Sequence, residues 1–288
     1  MINNEYNNEV NMKTIGYLGP RGTFSQEAAK QYILDKEGFD LREFNTIPDL
    51  MSIVQKGEIY GAVVPIENSI EGAVNETMDM LSSEEELKIV GEVVVRIKEN
   101  LLVKKGTKIK DIKTIISHPQ PIGQCRKYIQ QTFPEADISF VYSTASAAEA
   151  VANGNGDMAA IGSIAASEVY DLEIFATDIQ DSRSNLTRFV VVSKEYGKRT
   201  GIDKTSIVFS TEDKPGSLYR VLDIFNLWDI NMTRIESRPA KNKLGKYVFF
   251  VDIIGHWEDE DIKDALTMIE RKSSYLKVLG SYPQFQFK

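Results

Sequence analysis

The chain has 288 residues, 42% hydrophobic and 26% charged, the balance of an ordinary globular protein with room for two domains. A net charge of −8 argues against nucleic acid or an anionic membrane as the main partner. One cysteine, Cys125, and two distant histidines, His118 and His256, exclude an internal disulfide, a thiolate zinc cluster and a His-rich metal site.

No apolar run reaches the roughly 18 residues that span a bilayer. No basic-then-apolar leader opens the chain, so a cytoplasmic protein is expected. Residues 1–12 are Asn- and Glu-rich without a period and read as a flexible extension. A strand at residues 14–18 then runs into Gly19-Pro20-Arg21-Gly22-Thr23-Phe24 and a helix beginning near Ser25, with Thr23 or Ser25 as N-cap. A helix N-terminus beside a Gly-rich turn can receive an anion through its N–H groups, with Arg21 adding charge. An ordinary strand–helix connection would look the same. A strand near 41–45, a helix around 49–56 and a strand at 62–64 complete a βαβαβ pattern, hence a mainly parallel sheet. That third strand runs into Pro65-Ile66-Glu67-Asn68-Ser69. An acid, an amide and a hydroxyl thus fall in the loop where open α/β sheets place function. Asn68 or Ser69 could also cap the next helix, residues 73–81.

The β-rich stretch 89–103 carries the chain into a second lobe. A strand at 114–116 ends in Ser117-His118-Pro119-Gln120, and Pro121 to Arg126 opens a helix reaching about Gln131, with Cys125 inside it as a small buried residue. His118 is the side chain best able to titrate near neutral pH. A strand at 138–142, a helix opening at Ser143-Thr144, a strand at 158–161 and a helix at 164–170 repeat the scheme. A polar loop from Asp178 leads to Asn185-Leu186-Thr187-Arg188-Phe189 and the β-branched run Val190-Val191-Val192. A hydroxyl and a cation stand at the mouth of a buried strand, on opposite faces of it. If this strand returns to the first lobe, two α/β lobes enclose a cleft.

Residues 196–203 are polar and aperiodic and read as a linker. Beyond them come strands at 205–210, 232–236, 247–254 and 275–282 and helices at 217–228 and 260–272, in the order βαββαβ of a ferredoxin-like domain. Leu218, Val221, Leu222 and Phe225 share the helix face that would cover its sheet.

Six motifs in order carry a resemblance. Gly19-Pro20-Arg21-Gly22-Thr23-Phe24-Ser25, Pro65-Ile66-Glu67-Asn68-Ser69 with Gly72, Ser117-His118-Pro119-Gln120 with Gln124-Cys125, and Asn185-Leu186-Thr187-Arg188-Phe189 resemble prephenate dehydratase. Pro215-Gly216-Ser217-Leu218 and Glu236-Ser237-Arg238-Pro239 resemble the phenylalanine-binding motifs of that family's ACT domain. The resemblance implies an α/β, two-lobed, periplasmic-binding-protein-like catalytic domain at residues 13–195, then a ferredoxin-like ACT domain at 204–288. It implies the monofunctional enzyme, because residues 1–12 are too few for a chorismate mutase segment. The activity implied is conversion of prephenate to phenylpyruvate in phenylalanine biosynthesis, without metal or cofactor, under feedback control by L-phenylalanine. A homodimer or homotetramer with ACT–ACT contacts is implied, with neither nucleic acid nor membrane as partner. Arogenate dehydratase is the neighbouring reading. A non-catalytic two-lobed sensor is the reading of another class, against which the clustered polar residues count.

The resemblance assigns to Thr187 the hydrogen bond to the departing oxygen. A threonine hydroxyl is a very weak acid, so Glu67 or a water is expected behind it as a relay. Asn68, Ser117 and Gln124 match family positions linked to binding or turnover. Arg21, Thr23, Ser69, Thr144 and Arg188 complete the expected substrate-binding set, the first turns near Ser25 and Thr144 serving the two carboxylates. In the ACT part, Gly216 lets backbone approach a ligand, and the N–H groups of Ser217 and Leu218 could receive its carboxylate. Asn231, Glu236 and Ser237 would, by resemblance, complete that pocket at a dimer interface. Ser217 stands where the family usually has alanine, and its hydroxyl can serve as an N-cap.

Overall fold

The computed structural model describes residues 12–84, 86–182, 184–240 and 247–286; the expected extension lies outside them apart from Met12. The first lobe opens with β1 (Lys13–Leu18), α1 (Phe24–Ile33), β2 (Phe39–Phe44), α2 (Ile47–Gln55), β3 (Gly61–Asn68), β4 (Gly72–Ala73), α3 (Asn75–Ser83) and β5 (Lys88–Arg96). Thr23 and Thr46 cap α1 and α2, each accepting a first-turn N–H through its hydroxyl. The second lobe holds β6 (Asn100–Val103), β7 (Thr114–Ser117), α4 (Pro119–Gln124), α5 (Arg126–Thr132), β8 (Asp137–Phe140), α6 (Thr144–Asn153), β9 (Met158–Gly162), α7 (Ile164–Val169) and β10 (Glu173–Ala176). The single helix expected around Cys125 is two, because Cys125 leaves the helical region at φ −110°, ψ 17°. β11 (Leu186–Ser193) then returns to the first lobe.

The first sheet has the order β2-β1-β3-β11-β5, with β4 on the outside of β3. β1 runs parallel to β2 and β3, while β11 lies antiparallel between β3 and β5. The sheet is therefore mixed rather than mainly parallel. A strand coming back from the second lobe enters from the end at which β5 left. Val63, Phe189 and Val191 face α1, whereas Val64, Val190 and Val192 face α2 and α3. The second sheet has the order β10-β6-β9-β7-β8. Two crossovers join the lobes side by side: Ile97 N–H donates to Asn185 O, Ile179 N–H to Glu99 O and Glu99 N–H to Gln180 Oε1, each at 2.9 Å.

β12 (Asp203–Ser210), α8 (Ser217–Leu227), β13 (Met232–Pro239), β14 (Tyr247–Ile254), α9 (Glu260–Lys272) and β15 (Tyr275–Pro283) form the C-terminal βαββαβ unit, an antiparallel sheet ordered β13-β14-β12-β15. One face is covered by α8 and α9. From the other, Val208, Phe250, Leu279 and Tyr282 enter the core of the first lobe. At roughly 1.5–3 kcal/mol for each fully buried apolar side chain, that contact docks the unit firmly rather than leaving it tethered. β15 passes so close to β5 that a Cβ on Gly280, which has φ +148°, would stand 2.2 Å from Ile89 O. Gly280→Ala is expected to cost about 1–3 kcal/mol, read as a lower urea midpoint; an unchanged midpoint would mean that the two backbones do not approach so closely.

Candidate active site

A cleft of about 260 Å³ lies between the lobes. Its apolar wall is Phe24, Pro65, Ile97, Pro121 and Phe189; its polar wall includes Ser25, Asn68, Glu99, His118, Gln124, Ser143, Thr144, Asn185 and Thr187. No lysine or arginine occurs among the described lining residues. The heads of α1, α4 and α6 reach the cleft, at Ser25, His118 and Thr144. The first-turn amides of α1 and α6 are the donors best placed for a carboxylate; α4 offers none, since residues 119 and 121 are prolines and the Gln120 N–H goes to His118 Nδ1.

β3 explains which side chains point inward. Phe189 pairs with Pro65, Arg188 with Glu67 and Thr187 with Asn68. Two residues of β3, Ile66 and Glu67, therefore stand opposite Arg188 alone, which makes a bulge that Pro65 favours by lacking an N–H for the ladder. Simple alternation from Pro65 would aim Glu67 into the cleft. The extra residue reverses the phase, and Asn68 faces the cleft instead. Asn68 Oδ1 accepts from the N–H groups of Ile70 and Glu71, at 2.9 and 3.0 Å. Its Nδ2 is thereby aimed inward and donates to Thr187 Oγ1 and Asn185 Oδ1, both at 2.8 Å. Because Thr187 accepts that bond, its own proton is available to the cleft. Asn185 in turn donates to Gln124 Oε1 at 2.9 Å, and the buried Gln124 Nε2 has no partner among the described residues. One chain of amides thus spans both lobes and ends in two unused donors.

Several expected residues lie elsewhere. Glu67, on the far face of β3, sits 3.3 Å from Arg234 and 3.8 Å from Arg188, so it cannot back Thr187 in a relay. Arg188, expected among the substrate-binding residues, is not in the cleft lining. Its Nε, Nη1 and Nη2 donate to Glu92, Asp252 and Tyr282 at 2.7, 2.6 and 2.7 Å, joining β11 to β5, β14 and β15. Burial opposes its charge, but Tyr282, Asp252 and Glu92 outweigh burial and hold the guanidinium more firmly protonated than usual. Burial likewise works against the Asp252 carboxylate, which Arg188, Arg234 and the Ser206 hydroxyl still hold below the ordinary range. Ser117 is fully buried and donates to Ile161 O at 2.7 Å. Ser69 exchanges hydrogen bonds with Ser184 O and the Leu186 N–H outside the cleft. Thr23 caps α1, and Arg21 is exposed beside Tyr17.

Sequence reasoning passed over Asn185 and Glu99. Asn185 opens a motif already singled out; Glu99 lies in Ile97-Lys98-Glu99-Asn100, which has no period to mark it. Glu99 is 1% exposed, and burial pushes its carboxyl up to about 8.

In the C-terminal unit, Gly216 takes the left-handed conformation at φ 77°, ψ 2° and is itself the N-cap of α8. Ser217 is thus the first helical residue rather than the cap, and its Oγ accepts from Arg220 at 3.1 Å. Ser217 and Leu218 line a shallow pocket with Tyr247 and Phe249. Asn231, Glu236 and Ser237 lie along the edge strand β13 and its approach, outside that pocket.

A donor-rich cleft between two α/β lobes, with a βαββαβ unit docked behind it, defines a small-molecule enzyme carrying a regulatory-type domain. The sequence matches the prephenate dehydratase family over residues 15–196 and the ACT domain over residues 205–268. It is 42% identical over 272 residues to the bifunctional chorismate mutase/prephenate dehydratase of Aquifex aeolicus, covering 94% of this chain and 73% of that one. With the prephenate dehydratase of Methanocaldococcus jannaschii it shares 39% identity over 278 residues, 95% of this chain and 99% of that one. The crystal structure of prephenate dehydratase in complex with L-Phe from Arthrobacter aurescens superposes with a TM-score of 0.86 at 36% identity, covering 94% and 90% of the two chains. The chain belongs to the prephenate dehydratase family and carries an ACT domain at its C-terminal end.

Arg188→Ala leaves the buried Asp252 carboxylate without its cation at hydrogen-bond distance, Glu92 keeping Lys204, and is expected to cost about 3–5 kcal/mol of stability in urea unfolding. A variant that unfolds like the parent but binds substrate more weakly would return Arg188 to the cleft.

Proposed function

We propose that this cleft dehydrates and decarboxylates prephenate to phenylpyruvate, with Thr187 donating to the departing ring hydroxyl and Gln124 Nε2 donating to a substrate oxygen. The observation that carries the assignment is the direction of the Asn68–Thr187 bond at 2.8 Å: Thr187 is an acceptor there and hence a donor to the cleft. The apolar wall suits the cyclohexadiene ring. The first turns of α1 and α6 suit its two carboxylates, since the wall offers no fixed cation among its described residues. Aromatisation drives the step, and the protein supplies orientation and donors where charge develops on the leaving oxygen.

L-Phenylalanine is the regulator in this reading. A family member 36% identical to this chain holds L-Phe in its crystal structure. Here Gly216 opens the backbone at the head of α8, and Ser217 and Leu218 line the pocket beside it, although the Ser217 N–H expected to receive the ligand is given to Lys214 O at 3.1 Å. Asn231, Glu236 and Ser237 lie on an edge strand outside it, so a second protomer would bring its own copies to complete the pocket in an ACT–ACT dimer. The path to the chemistry is short. Thr187 and Arg188 are consecutive, and Arg188 ends on Asp252 of β14, the strand next to β13. A ligand that shifts the ACT sheet therefore bears on Thr187 through one peptide unit. No described helix is long and apolar enough to cross a membrane, and this reading places the enzyme in the cytoplasm.

Thr187→Val keeps volume and deletes the donor. It is expected to lower kcat by about 100- to 1,000-fold with little change in KM, followed as phenylpyruvate release; unaltered turnover would remove Thr187 from the chemistry. In the parent protein the same assay is expected to slow when L-phenylalanine is added. Measurable phenylalanine binding without any change in rate or KM would separate the ACT pocket from regulation.

A further inference from the structure

The reaction consumes a proton: the prephenate dianion plus one proton gives phenylpyruvate, carbon dioxide and water. Thr187 is too weak an acid to be the source, and Glu67 is turned away from it. We propose that Glu99, in the cleft wall where the chain first crosses between the lobes, is the catalytic acid that protonates the departing hydroxyl. The inference rests on the prephenate reading above.

The geometry is that of a built group. Glu99 lines the same cleft as Thr187 and Gln124. Its backbone is clamped on both sides, N–H to Gln180 Oε1 and C=O to Ile179 N–H, both at 2.9 Å. Its side chain is buried, and Oε2 has no hydrogen-bond partner among the described residues. A carboxylate in that position would be an uncompensated buried charge, so the neutral acid is the stable form. Burial accordingly lifts its pKa to about 8. The titratable groups around it do not reverse this. Cys125, at the junction of α4 and α5, is pushed well above the usual thiol range by burial and then by Glu99 and Asp181, and stays neutral. Lys98, next in the chain, pairs with Asp178 at 3.6 Å at the surface; Glu27 of α1 lies on the Lys98 side, and His118 caps α4 through its Nδ1. None of them is hydrogen-bonded to Glu99 Oε2. A dianionic substrate would disfavour ionisation further, so Glu99 enters the reaction carrying its proton. A buried Oε2 without a partner among the described residues is a cost that a buried leucine would not incur, and such costs concentrate where a group has work to do.

The step balances. As the bond between the ring and its carboxylate breaks, the electron pair enters the ring and carbon dioxide leaves. The bond from ring to hydroxyl breaks, and the oxygen takes the Glu99 proton and departs as water while Thr187 donates a hydrogen bond to it. The Glu99 carboxylate regains a proton from solvent when the cleft empties.

The deciding experiment compares Glu99→Gln and Glu99→Asp with the parent protein across pH, by phenylpyruvate release. A general acid must be protonated, so parent kcat is expected to fall as pH rises through the Glu99 value. In Glu99→Gln, kcat should drop about 100-fold or more with KM held within about threefold, and the alkaline limb should vanish. In Glu99→Asp the shorter acid should recover part of the rate with its limb moved. Glu99→Gln turning over within about threefold of the parent overturns the proposal; so does a slow variant that keeps the parent's alkaline limb. Should near-UV circular dichroism show the glutamine variant unfolded, the aspartate variant decides, an unmoved limb overturning the role. A parent protein that makes no phenylpyruvate at any pH would sink the prephenate reading itself.

Discussion

β11 is the constraint on which the molecule turns. It lies inside the first sheet, hydrogen-bonded to β3 on one side and the edge strand β5 on the other, and its alternation sends Thr187 into the cleft and Arg188 into the ACT contact. Neither can move alone, because one peptide unit joins them and both flanking ladders hold that unit. The bulge in β3 opposite Arg188 completes the arrangement. It lets Asn68, rather than Glu67, share a face with Thr187, so the cleft presents oriented amides and a hydroxyl while the acid joins the ion cluster behind.

Two buried charge problems are solved in opposite ways. Arg188 and Asp252 stay ionised because each meets opposite charge at hydrogen-bond distance, and Glu92 lies between Arg188 at 2.7 Å and Lys204 at 2.8 Å. Once the partners are in place, removing any one is far more costly than the net contribution of the set. Glu99 is offered no cation among the described residues and is held neutral by burial. Both depend on exclusion of water, the first as a rigid connection between β11 and the ACT sheet, the second as a proton held in reserve.

The lobes are joined by crossovers that bond to each other and by the amide chain from Asn68 through Asn185 to Gln124. A change in lobe angle would therefore disturb the orientation of Thr187 before it disturbed either core. The ACT unit shares apolar core with the first lobe but not with the second. The ACT unit is therefore packed against one side of the cleft only.

The sequence by itself determined most of the element order, the choice of Thr23 or Ser25 as cap of α1, the change to βαββαβ after the linker, and Asn68, Gln124, Thr144 and Thr187 as candidates, all of which line the cleft. Those depend on local periodicity, turn chemistry and motifs, which are written in consecutive residues. Only the tertiary structure decided that Glu67 faces away, that Arg188 serves the ACT junction, that Ser117 is buried structure and that Glu99 is a buried acid whose Oε2 has no partner among the described residues. The reason is physical: a bulge is defined by the strand opposite, and a side chain's charge state by what long-range packing brings against it. A single β-strand written as letters contains neither its register nor its dielectric surroundings.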